Sequence, residues 1–120
     1  MEPLYAYLMI AAKQYEDIQY AGYYNVGPDD RDCFQTGALV DLFVKHWGND
    51  IKWINRYDGG PHEANFLKLD CSKLKSTFGW QPSWDLDKAI EKVVEWSKNW
   101  LDGGNVRECM DRQINEFLKM

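Results

Sequence analysis

"AGYYNVGPDDRD", residues 21–32, is the stretch on which the fold class turns. Tyr23, Tyr24 and Val26 are residue types that suit a pleated, half-buried surface. Gly27-Pro28-Asp29-Asp30 is a turn that glycine and proline enforce, so the pattern predicts a short strand ending by Gly27. "DIKWIN", residues 50–55, is short and β-branched enough for a second strand. With these two strands the chain is α/β.

Outward from them the patterns are helical. Pro3 suits the first turn of a helix on which Leu4, Leu8, Ala11, Tyr15 and Ile18 fall on one face. Thr36 is placed to cap a helix with a stripe of Leu39, Val40, Phe43, Val44 and Trp47, and Gly48 is placed to end it. Asp70 or Ser72 caps a short helix carrying Leu74 and Phe78, which Gly79 stops and Pro82 keeps from resuming. Asp85 caps the most clearly patterned segment, whose apolar face runs from Leu86 through Ala89, Ile90, Val93, Val94, Trp96 and Trp100 to Leu101. Asn105 with Glu108 resembles a capping box before a last helix with Met110, Ile114, Phe117 and Leu118. Five helices with two or three short strands make a mixed α/β unit whose incomplete sheet leaves strand edges seeking another segment.

Composition narrows the function classes. The 120 residues suffice for one domain, 45% of them hydrophobic and 15% aromatic, a balance that belongs to folded chains. A net charge of -5 argues against a general binder of nucleic acid, whose backbone is held by lysine and arginine. Cys33, Cys71 and Cys109 are odd in number and without a Cys-x-x-Cys pair, which favours reduced thiols and a cytoplasmic setting over disulfides or zinc. "LYAYLMIAA" lacks the basic lead-in of a signal peptide and is too short to span a membrane.

The chemistry is thin. No Gly-x-Gly-x-x-Gly turn or Gly-Lys-Ser/Thr loop is present, and none of the 7 tyrosines has a lysine four residues later. His46 lies near a helix end, where an imidazolium suits the dipole. Asp29, Asp30 and Asp32 read as a solvated acidic turn, because the spacing and central glycine of a calcium loop are missing. Trp96 and Trp100 stand one helical turn apart and read as packing residues before they read as a platform for sugars or bases. His62-Glu63 follows Gly-Gly-Pro on a loop. From the residues alone it reads as a solvated polar pair ahead of a ligand site, since two ligands without a third do not make a metal centre.

"MEPLYAYLMIAAKQYED", "NVGPDDRD" and "GGPHEANFLKLDCSKLKSTFGWQPSWDLDKAIEKVVEW" together resemble the C-terminal portion of the CDP-glucose 4,6-dehydratase branch of the extended short-chain dehydrogenase/reductases. The pattern Asp70, Ser72, Lys73, Gly79, Trp80, Pro82 is shared widely among extended nucleotide-sugar enzymes. The Pro-His-Glu-Ala stretch and the Glu-Pro-Leu helix point to the CDP-glucose branch. The resemblance implies that residues 1–120 are a single C-terminal substrate-binding domain fragment, a small mixed lobe, without the N-terminal NAD-binding Rossmann domain and its Tyr-x-x-x-Lys pair. The full-length enzyme would convert CDP-glucose to CDP-4-keto-6-deoxyglucose and water with NAD. The fragment would hold no cofactor and no catalytic residue, and would be inactive alone.

By motif the resemblance places His62 and Glu63 against the diphosphate and ribose of the nucleotide-sugar, with Arg56 as a diphosphate clamp. Its implied partners are CDP-glucose and the Rossmann domain, with self-association through apolar surface that the domain would otherwise cover. A non-enzymatic protein-interaction domain, or the equivalent lobe of a UDP- or GDP-sugar enzyme, are the alternatives.

Overall fold

Five α-helices follow one another in the computed structural model, whose described residues are 1–56 and 68–119. They are α1 (Glu2–Glu16), α2 (Thr36–Trp47), α3 (Ser72–Phe78), α4 (Leu86–Leu101) and α5 (Val106–Phe117), with 3-10 turns at Ile18–Tyr20 and Asp30–Asp32. Local chemistry sets their ends. Pro3 sits in the first turn of α1, where a missing N–H costs nothing. The Asp85 carboxylate accepts the Lys88 N–H at 2.9 Å to start α4, and the Asn105 side chain accepts the N–H groups of Arg107 and Glu108 at 3.1 and 3.2 Å to start α5. Ahead of α3, Asp70 Oδ1 accepts the Ser72 N–H at 2.9 Å, while Cys71 takes the cap position itself. Gly79 ends α3 at φ +64°, a left-handed conformation that a side chain would strain. α2 differs from expectation at its start, where Gln35 is the cap residue and Thr36 is already helical.

The expected mixed α/β lobe with an incomplete sheet is not what the chain forms. Among the described residues there is no strand, neither at Tyr23–Val26 nor in residues 50–55. A strand is held by a ladder of backbone hydrogen bonds, and both segments are anchored by side chains instead. Asn25 Nδ2 donates to the Asp70 carbonyl at 3.1 Å, and the Tyr24 hydroxyl donates to the Tyr20 carbonyl at 2.9 Å. Tyr24 also meets Phe78 edge to face at 5.1 Å. In the second segment Trp53 Nε1 donates to Asp41 of α2 at 2.7 Å, laying residues 51–56 along that helix. Aromatic and β-branched content marked both segments as half-buried, yet only Tyr24 and Val26 are partly buried, against the core cluster, while residues 51–56 are exposed.

Ala6 and Leu74 are fully buried and Trp80 nearly so, with Met9, Ile10, Tyr24, Val26 and Phe78 packed around them. This cluster joins α1, α3 and the 24–26 segment. Trp84 and Phe117 meet edge to face at 5.1 Å, and Tyr5 meets the other side of Phe117 at 5.7 Å, which ties α1 to the α4–α5 pair. The Glu2 carboxylate strengthens that tie, as Oε1 accepts the N–H groups of Ser83 and Trp84 at 2.9 and 2.7 Å. α2 packs along α4, where Lys98 Nζ lies 5.7 Å from the centre of the Trp47 ring. The result is a slab 22 Å thick, with a radius of gyration of 17.4 Å. A close-packed domain of this length would have about 14 Å.

The two long sides of α1 have different fates. The side with Ala6, Met9 and Ile10 enters the core. The side singled out by spacing is turned outward: Leu8 is 71% exposed, Tyr15 95% and Ile18 80%, with Leu4 and Ala11 exposed as well.

Candidate functional site

Of the three residues the resemblance placed on substrate, His62 and Glu63 lie outside the described residues. Arg56 is exposed, at the end of the segment that Trp53 fastens to α2. Convergence of the three is therefore not a feature that the described residues can display. From Lys68 onward the chain is held in detail.

Leu69 lies against Gly27, where the nearest atoms to an added Cβ would be Cys71 Sγ and Leu69 Cβ, both at 3.5 Å. An added Cβ would thus stand in ordinary van der Waals contact with both. Lys68 Nζ pairs with Asp30, and Lys75 Nζ pairs with Asp29. These contacts border a cleft of about 410 Å³ lined by Pro28, Asp30, Lys68, Asp70, Ser72 and Lys75, among others. The Asp30 carboxylate raises the Lys68 ammonium above its ordinary range, and Asp29 does the same for Lys75. Hydrogen bonds from Ser72 hold the Asp70 carboxyl below its usual range. At neutral pH the cleft thus presents two ammonium groups, two lining carboxylates and a serine, a set able to bind hydroxyls and phosphate oxygens.

Of the three acidic residues read as a solvated turn, Asp30 is 80% exposed, while Asp29 and Asp32 are largely covered, and all three make contacts beyond the turn. Asp29 and Asp30 bind the turn to the α3 side, and Asp32 Oδ1 lies 3.4 Å from the Leu86 N–H at the start of α4. No group able to hold a metal occurs among the described residues. Lys68 and Lys75 were not singled out from the sequence, since neither lies in a motif with a required spacing. His46, read from the sequence by its helix-end position, meets a side chain of α4 instead: Nε2 stands 3.1 Å from Asp87 Oδ1, and Asp87 is held below the ordinary carboxylate range, with His46 the main cause and Lys45 adding to it. Trp96 and Trp100 stack on each other with their planes 4° apart, and Trp100 is 60% exposed, so the pair is not the core packing read from its spacing.

A second polar constellation was missed altogether. Lys92, only 9% exposed, reaches from α4 to Glu116 of α5 at 2.7 Å and to Glu95 at 3.2 Å. Arg112 and Gln113 of α5 close on Glu95 at 2.6 and 3.0 Å, and Gln113 also donates to the Lys92 carbonyl at 3.0 Å. Burial works to raise the Glu95 carboxyl, and hydrogen bonds from Gln113, Arg112 and Lys92 outweigh it, holding it down at about 2. Every member of this network has a partner within it, so it fastens α4 to α5.

No helix of the described residues is long and apolar enough to cross a membrane. No protein-family model matches the chain. A curated protein, CDP-glucose 4,6-dehydratase of Salmonella typhimurium, is 36% identical to it over 119 residues, a match covering 98% of this chain and 33% of that protein. The chain thus spans about a third of the length of the curated relative it matches.

Proposed function

We propose that this chain is the nucleotide-sugar-binding lobe of a CDP-glucose 4,6-dehydratase, acting with a separate Rossmann domain that holds NAD and the reacting groups. The observation that carries the reading is the likeness to one third of such an enzyme, sustained over 98% of this chain. His62 donates to a diphosphate oxygen, Glu63 accepts ribose hydroxyl protons, and Arg56 clamps the diphosphate with its guanidinium fork. Their contribution is remote binding energy that orients the sugar, and catalysis is left to the other domain.

A dinucleotide does not fit the described residues. The described residues hold no strand leading through a glycine turn into a helix, the arrangement on which a pyrophosphate is held, so no nicotinamide step is assigned to this chain. Alone, it is expected to be catalytically silent.

Calorimetric titration of CDP-glucose, CDP and UDP-glucose tests the reading, into this chain alone and into its mixture with the remaining two thirds of the Salmonella typhimurium relative. CDP ligands should bind the mixture more tightly than UDP-glucose. Arg56→Ala and Glu63→Gln should each weaken binding by about 10-fold, the scale of one hydrogen bond to a charged group. Indifference of the mixture to CDP and CDP-glucose would overturn the proposal, and preference for UDP-glucose would move it to a UDP-sugar enzyme.

A further inference from the structure

α2 ends at Trp47, and the chain then turns back on itself. Asn49 and Asp50 take φ of +60° and +52°, the signs of a type I′ turn, and the Ile51 N–H stands 3.5 Å from the Gly48 carbonyl. Residues 51–56, which follow, are exposed at every position. Among the described residues, Trp53 supplies the one side-chain hydrogen bond of this segment, donating from Nε1 to Asp41 at 2.7 Å. The indole also lies over Gly37, where an added Cβ would meet it at 3.8 Å, so Trp53 is 39% exposed while its neighbour Ile54 is 75%. Gly37 and Asp41 are four residues apart on one face of α2, and Trp53 spans both. Arg56, at the end of the segment, has no ion-pair partner among the described residues.

A guanidinium on an unheld strap is a poor binding group, because a ligand that uses it must first order the chain that carries it. The hydrogen bond from Trp53 shortens that chain. Three residues from this anchor, Arg56 stays within about 10 Å of it. With the anchor gone, the nearest fixed point upstream is Trp47, nine residues away, and the reach grows to about 30 Å. Effective concentration at a fixed spot falls roughly as the −3/2 power of tether length, so a tether about three times longer dilutes the guanidinium about 5-fold. We infer that Asp41 is a positioning residue: through Trp53 Nε1 it fixes the path of residues 51–56 and so places the Arg56 guanidinium for a diphosphate. Asp41 acts as a hydrogen-bond acceptor and touches no ligand. This rests on the reading of Arg56 as the diphosphate clamp, and it names what holds the clamp in place.

The test titrates CDP and cytidine by calorimetry into this chain mixed with the remaining two thirds of the Salmonella typhimurium relative. Asp41→Ala and Trp53→Phe should each weaken CDP binding about 5-fold, and the double variant no further, because either change alone frees the strap. Asp41→Asn keeps an acceptor oxygen for Nε1 and should hold CDP binding within about 2-fold of the unaltered chain. Cytidine, which has no diphosphate, should bind all of these variants alike, whereas a general loss of structure would weaken both ligands. If Asp41→Ala loses helical circular dichroism, Trp53→Phe decides the matter. Three results overturn the inference: CDP binding indifferent to Asp41→Ala and Trp53→Phe while Arg56→Ala weakens it, a loss with Asp41→Asn equal to that with Asp41→Ala, or a parallel loss for cytidine. Indifference to Arg56→Ala would remove the clamp and this inference with it. A mixture that binds no CDP at all would sink the ligand reading too.

Discussion

α1 and the α4–α5 pair are built on opposite plans. The pair is amphipathic: each helix has a side-chain cap, aromatic contacts bury one side, and the Lys92, Glu95, Arg112, Gln113 and Glu116 network fastens the other. The members of that network find their partners within the pair, while Phe117 also meets Trp84 and Tyr5. α1 has few charges, no side-chain cap, and a core face that rests on Leu74 and Trp80 from distant parts of the chain. The contrast teaches that a helix can be fully formed and still be only half packed.

Removing what holds α1 should produce the largest effect. Trp80→Ala should cost about 3–5 kcal/mol in urea unfolding, as for other buried aromatics. Hydrogen exchange should show α1 opening while α4 and α5 keep their protection; simultaneous loss of protection in all three would break the contrast. Lys92→Met should cost less, about 1–2 kcal/mol. It removes one partner from each of two carboxylates, but Glu95 keeps Arg112 and Gln113, Glu116 keeps Lys88, and both are partly hydrated at 34% and 39% exposure. Adding Glu116→Gln should recover part of that loss.

The same network predicts an acid response confined to the pair. Glu95 is held at about 2 when folded against 4.5 as its ordinary value. Its contribution is complete above the ordinary value and is lost as pH falls from about 4.5 through about 2. Thermal melts across that range should steepen in their pH dependence because of Glu95, and Glu95→Gln should flatten them. Asn105→Ala should cost about 1 kcal/mol, the usual worth of such a cap. The smallest effect expected is that of Leu8→Gln, within about 0.5 kcal/mol of unaltered stability. A larger loss would show that the outer stripe of α1 already supports this chain's fold, and the comparison would fail.

What was legible in the sequence follows from where the decisive interactions lie. Helix ends depend on residues three or four apart, so Asp85, Asn105, Gly79 and Pro3 could be read directly. The stripe at Leu4, Leu8, Ala11 and Tyr15 was legible as a face, but its periodicity cannot say whether it turns toward this chain or away. Tyr23–Val26 looked like a strand because residue type reports burial, whereas a strand is decided by backbone partners far away in sequence. The same distance hid the Lys68–Asp30 and Lys75–Asp29 pairs and the role of Lys92, whose partner Glu116 lies on another helix. His62 and Glu63 rest on motif alone, outside the described residues.

The Glu2 carboxylate that accepts the Ser83 and Trp84 N–H groups has a consequence for the order in which the molecule is assembled. Those hydrogen bonds join positions 81 and 82 residues apart, whereas Gln113 meets the Lys92 carbonyl across 21. Contacts between remote positions close slowly, since a long loop must be ordered before any gain is realised. On a ribosome adding about 5–20 residues per second, α1 emerges at least about 4–16 s before the turn at Ser83 that anchors it. Until Leu74, Trp80 and that turn have emerged, the core side of α1 lacks its partners, which gives this helix reason to engage a chaperone.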